Sequence, residues 1–282
     1  MESIMKNLVV KLGAAAIAAT VMATGAWAAS AYPKNKPREQ DWSFAGPFGM
    51  YDQAQLQRGL KIYAENCSAC HALSRVNFRN LADLGYSDEQ IKAFAANYEV
   101  EDGPDDFGDM FFRPATAADA FPSPFPNQEA ARAANGGAYP PDLSLIAKAR
   151  APIRGFPAFV IDPFRNYAEN GPDYIYSLLT GYKDEVPEDV SVPEGLWYNP
   201  YFASGTALAM APPLFEGMHE FDDGTEATVS NMAKDVAAFL MWTAEPHMDE
   251  RKQLGFRVMV FLLIFAALLY LSKKQVWARV EH

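Results

Sequence analysis

The chain has 282 residues, of which 50% are hydrophobic and 21% charged, and its net charge is −11. This length is enough for one large domain with a substantial hydrophobic core. A chain this acidic repels nucleic acid, so composition excludes the nucleic-acid-binding classes.

The N-terminus has the form of a secretory signal. Lys6 and Lys11 precede an uncharged, alanine-rich run from Leu12 to Ala23. After this run, Ala26-Trp27-Ala28 has the small-x-small form of a signal-peptidase site. An uncleaved anchor is the alternative, but the run is shorter than the ~20 apolar residues that a membrane-spanning helix needs. We therefore predict that residues 1–28 are a signal peptide and that the rest of the chain is exported.

Short helices joined by long irregular loops are predicted for the body. Strand-like alternation is scarce there, and most of the chain's 20 prolines and 18 glycines lie in the body and interrupt regular structure. Apolar residues at helical spacing predict one helix over Gln53 to Asn66 and another from a cap at Thr228 or Ser230 to Glu245. A shorter helix is predicted over Ser87 to Tyr98, with Ser87 as its cap. The predicted loops are Phe121 to Pro126 and Val186 to Pro200.

The motif Cys67-Ser68-Ala69-Cys70-His71 has the Cys-x-x-Cys-His pattern of covalent haem c attachment. Two thiols at this spacing can add to the two vinyl groups of the porphyrin, and the adjacent imidazole then lies under the iron. A thioredoxin-like pair would need a βαβ context, and a zinc site would need a second Cys or His pair. The chain has only these two cysteines, and its other three histidines are scattered. The motif therefore predicts one covalent haem c.

Such a haem has a sixth iron position. The candidate ligands are Met110, Met210, Met218, Met232, Met241, Met248, His219 and His247. Met232 and Met241 fall within a predicted helix, where core packing is the better explanation. Met210 stands among small residues before Pro212-Pro213, and such a loop can hold a thioether against iron without crowding it. On these grounds alone, ligation and packing explain Met210 equally well.

The C-terminus carries an unbroken apolar run from Val258 to Leu271, extended by Gly255 and Phe256 around Arg257. With Arg257 snorkelling to one interface, this run can span a membrane, although a buried core helix is the alternative. The residues beyond it that favour the membrane are Lys273, Lys274, Trp277 and Arg279. The predicted signal orients the chain with its C-terminus inside.

Eight segments stand in a fixed order along the chain: Cys67–His71, Asp102–Pro104, Met110–Pro114, Asn127–Asp142, Tyr174–Tyr182, Glu194–Phe202, Met210–Pro213 and Glu220–Thr225. Together they resemble the cytochrome c1 family, the haem c subunits of the cytochrome bc1 complex (ubiquinol–cytochrome c oxidoreductase, complex III). The likeness runs from about residue 40 to the C-terminus. It implies a mainly α fold: a class I cytochrome c-like haem domain with long irregular loop insertions, plus one C-terminal transmembrane helix.

The resemblance also implies roles for single residues. It makes Met210 the sixth ligand opposite His71. It places Arg150 near a haem propionate, which needs a fixed cation once it is partly removed from water, although a plain surface charge is the alternative. Pro140 or Pro141, with Pro141 preferred, would offer a carbonyl to the non-ligating nitrogen of His71. Tyr174 is a further candidate for a polar contact with the haem.

Electron transfer, and no bond chemistry by this chain alone, is the function that the resemblance implies, because His–Met ligation leaves no open iron position. The implied donor is the Rieske iron–sulfur protein, the implied acceptor is a soluble c-type cytochrome, and cytochrome b is a further partner within a dimeric complex. Two alternatives stay open. One is a tethered cytochrome of a terminal oxidase or reaction centre, and the other is an open-iron haem enzyme or sensor.

The predicted organisation is a periplasmic haem c domain over residues 29–250, an anchor over 251–273 in the bacterial inner (cytoplasmic) membrane, and a cytoplasmic tail over 274–282. The leader has a net charge of +1 and the last ten residues have a net charge of +2. Because the net charge of the whole chain is −11, the part between them has a net charge of −11 − 1 − 2 = −14. That charge favours a basic cytochrome c as partner. The acidic runs are Glu99, Glu101, Asp102, Asp105, Asp106, Asp109 and Asp184, Glu185, Glu188, Asp189. Solvated loops explain each run equally well.

Overall fold

A computed structural model describes residues 35–152, 156–162 and 170–278. The predicted signal peptide and Arg279 lie outside the described residues. The described part is mainly helical, with two antiparallel two-stranded sheets and a long apolar C-terminal helix. The predicted mainly α fold class is therefore confirmed.

The elements follow one another in this order. The α-helices of the described part are α1 (Gln53–Ile62), α2 (Asp88–Ala95), α3 (Gln128–Ala134), α4 (Ile146–Ala149), α5 (Ala158–Ile161), α6 (Asn170–Leu179), α7 (Val229–Ala244) and α8 (Met248–Trp277). A π-helical turn, Tyr63–Cys67, continues α1, and a 3-10 helix spans Phe78–Leu84. The strands are β1 (Glu99–Asp102), β2 (Phe111–Pro114), β3 (Trp197–Tyr198) and β4 (Ala207–Leu208), with β1 paired to β2 and β3 to β4.

Side-chain caps begin the three predicted helices, all of which are confirmed. The carboxylate of Asp52 accepts from two backbone N–H groups of α1, and the hydroxyl of Thr228 accepts from one in α7. Ser87 caps α2 through a reciprocal pair with Gln90. This helix ends three residues earlier than predicted, because the chain turns there toward the β1–β2 hairpin.

The prediction that Val186 to Pro200 is entirely loop is wrong at its end, because Trp197–Tyr198 form β3. The fully buried Asn199 follows this strand, and its amide donates to Leu178 O at 2.8 Å. This bond to α6 joins residues far apart in the sequence, so no local pattern shows it. The other predicted loop, Phe121 to Pro126, contains no helix or strand and is confirmed.

The core is centred on the crossing of α1 and α7, with α4 and α6 packed on α7 as well. The two backbones approach closely at Gly59, where a Cβ would lie 2.4 Å from Asp235 O. Beside it, Arg58 Nε donates to Oδ2 of the buried Asp235 at 2.6 Å. This bond is the main cause that raises the pKa of Arg58, against the opposing effect of burial. The crossing therefore combines a close backbone contact with a buried ion pair, and it supports the segment that runs into Cys67.

The first turns of α8 are bound to the domain. The side chain of Met248 is buried, and Lys252 Nζ donates to Phe44 O at 2.6 Å and to Gly49 O at 3.1 Å. Asp249 accepts from the N–H of Tyr51 at 3.2 Å. Beyond these turns the helix is exposed, and it is long and apolar enough to cross a membrane.

Candidate haem site

The Cys67–His71 motif is a tight turn at the end of α1. The backbone N–H groups of Cys70 and His71 both donate to Cys67 O, at 3.1 and 2.8 Å, and Ser68 N–H donates to Tyr63 O at 2.9 Å. Both cysteines are free thiols, Cys70 exposed and Cys67 partly buried. Burial, with a smaller effect of Cys70, raises the pKa of Cys67 to about 12. Both sulfurs are therefore held in one turn, in the order that haem attachment needs.

His71 is held by a single backbone acceptor. Its Nδ1 lies 2.8 Å from Pro141 O. Because a carbonyl can only accept, Nδ1 carries the proton and Nε2 keeps its lone pair. Burial lowers the pKa of His71, and the bond to Pro141 opposes this only in part. The neutral imidazole that results is the form that binds a metal.

The acceptor carbonyl is itself fixed by its neighbour Asp142. The carboxylate of Asp142 accepts from the hydroxyl of Ser74 at 2.6 Å and from the N–H of Ser144 at 2.7 Å. Its pKa is lowered because these bonds outweigh burial, which acts in the opposite direction. Of the two prolines considered from the sequence, Pro141 is the one whose carbonyl contacts His71.

Met210 follows β4 in a loop that is fastened on both sides. The hydroxyl of Tyr182 donates to Met210 O at 3.0 Å. Three residues later, Pro213 O accepts from Asn66 Nδ2 at 2.9 Å, and Asn66 directly precedes Cys67. The loop that contains Met210 is thereby brought to the haem-attachment turn, and the Met210 sulfur has no hydrogen bond within the described part of the chain.

The other sulfur candidates are already engaged or lie elsewhere. Met218 Sδ accepts from Asn66 Nδ2 at 3.4 Å and from Phe215 N–H at 3.3 Å. Met110 is exposed on the β1–β2 hairpin. The remaining three methionines, Met232, Met241 and Met248, are buried in the hydrophobic core. Packing therefore explains those three, and Met210 is the candidate whose sulfur is left for iron.

Arg150 and Tyr174 are brought near each other. Tyr174 is buried, and its hydroxyl accepts from Ala203 N–H at 3.3 Å. Burial raises the pKa of Tyr174, while that bond and the charge of Arg150 act in the opposite direction. Arg150 is exposed after α4 and has no carboxylate partner among residues 35–152, 156–162 and 170–278.

Tyr182 is a site residue that sequence reasoning missed. Burial raises its pKa, and the negative charge of Tyr174 in its ionised form adds to the effect, so the two hydroxyls are neighbours. The only sequence signal was its place at the end of the Tyr174–Tyr182 segment. That place does not reveal a bond to a carbonyl 28 residues away.

Comparison with known proteins decides the family. The sequence profile of the Cytochrome C1 family matches residues 42–280. The chain belongs to the cytochrome c1 family. Membership identifies it as a haem electron-transfer subunit of the bc1 type.

Individual relatives support the family assignment. The chain is 59% identical over 247 residues to cytochrome b/c1 of Bradyrhizobium diazoefficiens, which covers 86% of this chain and 36% of that protein. It is 46% identical over 259 residues to cytochrome c1 of Rhodospirillum rubrum, covering 86% of this chain and 88% of that protein. It is also 46% identical over 240 residues to the mitochondrial cytochrome c1 haem protein of Saccharomyces cerevisiae, covering 85% and 72%. The chain thus spans about a third of the Bradyrhizobium protein and most of the other two.

The residues present fit the covalent haem c that the cytochrome c1 family implies. Two free thiols and a neutral imidazole with an available Nε2 follow α1, and the loop that contains Met210 contacts the same turn through the bond from Asn66 Nδ2 to Pro213 O. Imidazole nitrogen with methionine thioether sulfur is also the iron-ligand pair of c-type cytochromes, in which the two cysteine sulfurs bond to the porphyrin and not to the iron.

Proposed function

We propose that this chain carries electrons, one at a time, from a Rieske iron–sulfur protein to a soluble basic c-type cytochrome. It does so with one haem c bound through Cys67 and Cys70 and ligated by His71 and Met210. The observation that carries the proposal is the 2.8 Å contact from His71 Nδ1 to Pro141 O, which leaves Nε2 for iron.

Each residue of the site has a separate task. Haem c, when bound, supplies reversible one-electron iron chemistry. Cys67 and Cys70 hold it covalently, and Pro141 sets the orientation of His71. Met210, kept in place by Tyr182, would supply the second iron ligand beside His71, and such ligation would exclude small ligands and raise the reduction potential. Arg150 offsets the charge of a propionate.

The same proposal includes the membrane arrangement. Residues 29–250 form the periplasmic haem domain, 251–273 the anchor and 274–282 a cytoplasmic tail, with residues 1–28 removed as a signal. Cytochrome b and the Rieske protein are the partners within a dimeric complex. The exposed apolar surface of α8 supports a position within the bilayer next to another membrane subunit.

The test replaces two candidate methionines in turn. Met210→Leu should leave haem covalently attached, lower the reduction potential and make the reduced iron react with carbon monoxide. Met110→Leu is the matched control and should keep the native spectrum, because Met110 is exposed on the β1–β2 hairpin. A native spectrum and potential in Met210→Leu would assign the sixth position to another residue. Carbon monoxide binding by the unmodified protein would instead favour an open-iron enzyme or sensor.

Attachment is checked on the same preparations. Cys67→Ser and Cys70→Ser should each abolish or greatly reduce haem staining on a denaturing gel, since each thioether anchors one vinyl group. Full staining of the double variant would contradict covalent haem c.

A further inference from the structure

His219 has a buried side chain with one hydrogen bond. The side chain is 3% exposed, and its Nδ1 lies 2.8 Å from Oε2 of Glu65. Because an ionised carboxylate can only accept, Nδ1 carries the proton and donates it to this bond. The other ring nitrogen, Nε2, is buried and has no hydrogen-bond partner in the part of the chain that the structure describes.

This unpaired nitrogen makes histidine unfavourable at position 219 for packing alone. A buried polar atom without a hydrogen bond loses its hydration and gains nothing in return, whereas a leucine would fill similar space without that penalty. What histidine provides and leucine lacks is the Nδ1–H that reaches Glu65. The bond between these two side chains is therefore the interaction that favours His219.

The bond joins two segments that both belong to the haem site. Glu65 lies in the π turn Tyr63–Cys67, two residues before Cys67. The next residue, Asn66, donates to Pro213 O at 2.9 Å and to Met218 Sδ at 3.4 Å. Glu65 and Asn66 thus hold the segment from Pro213 to His219, which begins three residues after Met210.

We call Met210–His219 the ligand loop. Its start is held by Tyr182, which donates to Met210 O at 3.0 Å, and its end by the bond from His219 to Glu65. The contact after the loop, from Lys61 Nζ to Glu220 O at 2.7 Å, comes from α1 and lies farther from Cys67. The Glu65–His219 bond therefore ties the last residue of the ligand loop to the attachment turn and acts beside the two contacts that Asn66 makes with Pro213 and Met218.

We propose that His219 is a positioning residue which, through Glu65, holds the ligand loop against the Cys67 turn and so keeps the thioether of Met210 on the iron. The inference rests on the proposed function, because it requires Met210 to be the sixth ligand. Without the bond, the loop can move away while the α1–α7 core stays folded, and the sixth position opens more often.

The experiment uses the full chain with haem attached, purified in detergent. Two quantities are compared: the carbon monoxide-reactive fraction of reduced iron, and the denaturant concentration at which the oxidised protein loses its sulfur-to-iron charge-transfer band. In His219→Leu the equilibrium constant for loss of the methionine ligand should rise about tenfold, the low end for a hydrogen bond to a charged group, since Glu65 is half exposed. The midpoint of global unfolding, followed by helical circular dichroism, should stay the same or rise.

Three further variants separate positioning from general stability. Glu65→Ala should reproduce the effect, and the loss of packing should be small because the Glu65 side chain is half exposed. His219→Asn should restore the parental behaviour, because its amide nitrogen can take the place of Nδ1. His247→Ala is the matched control, since His247 and Glu250 form a similar pair at 3.3 Å on the exposed start of α8, and it should change nothing.

The outcomes distinguish this inference from the proposed function. Parental carbon monoxide reactivity in both His219→Leu and Glu65→Ala would overturn it, as would ligand loss that merely follows a lowered global unfolding midpoint. A charge-transfer band that survives Met210→Leu would overturn the proposed function instead.

Discussion

Arg113 ties the β1–β2 hairpin to the chain that follows it. Its Nε donates to Asp102 Oδ2 at 2.5 Å, and its two terminal nitrogens donate to Asp119 at 2.7 and 3.0 Å. Asp119 also accepts from the N–H of Thr116 at 2.7 Å. The bond from Arg113, followed by the one from Thr116, holds the pKa of Asp119 far below its ordinary value.

The depressed pKa of Asp119 predicts an acid-sensitive contribution to stability. A carboxyl with a lowered folded-state pKa contributes fully above its unfolded pKa of ~3.9, and the contribution is lost as pH falls below that value toward the folded pKa. Asp119→Asn should therefore unfold at a lower temperature than the parent at pH 7, and the difference should shrink as pH falls below about 4. Thermal unfolding of the detergent-solubilised chain across this range measures it, with Asp106→Asn as the control in the same hairpin. A difference that is constant with pH would contradict the assignment.

At the scale of elements, the close crossing of α1 and α7 depends on Gly59. A methyl group there would lie 2.4 Å from Asp235 O and 2.5 Å from Phe239 Cβ, and the first of these is backbone that cannot turn away. Alanine usually stabilises a helix relative to glycine by roughly 0.5–1 kcal/mol, but overpacking costs about 1–3 kcal/mol or more. The tertiary term therefore outweighs the helical one.

We expect Gly59→Ala to lower the free energy of unfolding by about 1–2 kcal/mol, measured by denaturant titration of the helical signal. Gly255→Ala in α8 is the matched control, because its Cβ would meet nothing within 4 Å. Equal stability of Gly59→Ala and the parent would mean that the helices separate easily at this point.

At the scale of the whole molecule, the way α8 joins the domain decides where the chain can be cut. Met248, Asp249 and Lys252 contact the domain, so a cut after Glu245 removes stabilising contacts together with the anchor. A chain that ends at Leu254 keeps them. We expect it to be released to the periplasm as a soluble haem protein, and the chain that ends at Glu245 to be released but to unfold at a lower temperature. Retention of the longer truncation in salt-washed membranes without partner subunits would contradict α8 as the anchor.

Long-range charge predicts the behaviour toward a basic electron acceptor. The electron-transfer rate should fall steeply as ionic strength rises from about 10 to about 150 mM, over which the Debye length shortens from ~30 to ~8 Å. Asp105 accepts the N–H groups of Phe107 and Asp109, so its replacement would also loosen the hairpin loop. The charge-only variants are Glu101→Gln with Asp106→Asn, and Asp184→Asn with Glu185→Gln and Glu188→Gln. One of the two sets should flatten the salt dependence, whereas a parental rate indifferent to salt would exclude electrostatic docking.

Local signals in the sequence were enough to predict covalent attachment at the Cys67–His71 motif, the three capped helices and the apolar C-terminal helix. Covalent spacing, caps and apolar periodicity act over a few residues, so they can be read without knowing where the rest of the chain lies. The same signals could not separate ligation from packing at Met210, because a methionine in a loop looks alike in both cases. The resemblance to the cytochrome c1 family is what favoured ligation by Met210.

At His71 the tertiary structure chose between two proline carbonyls, and it alone decided which hydroxyl holds Met210 and which carboxylate meets His219. The last pair is separated by 154 residues. The short β3–β4 pairing missed at Trp197–Tyr198 lies beside the buried Asn199, which bonds to α6. Such contacts form because packing of α1 against α7 brings distant segments to the same end of the core, and a side chain finds its partner only after that packing has placed it.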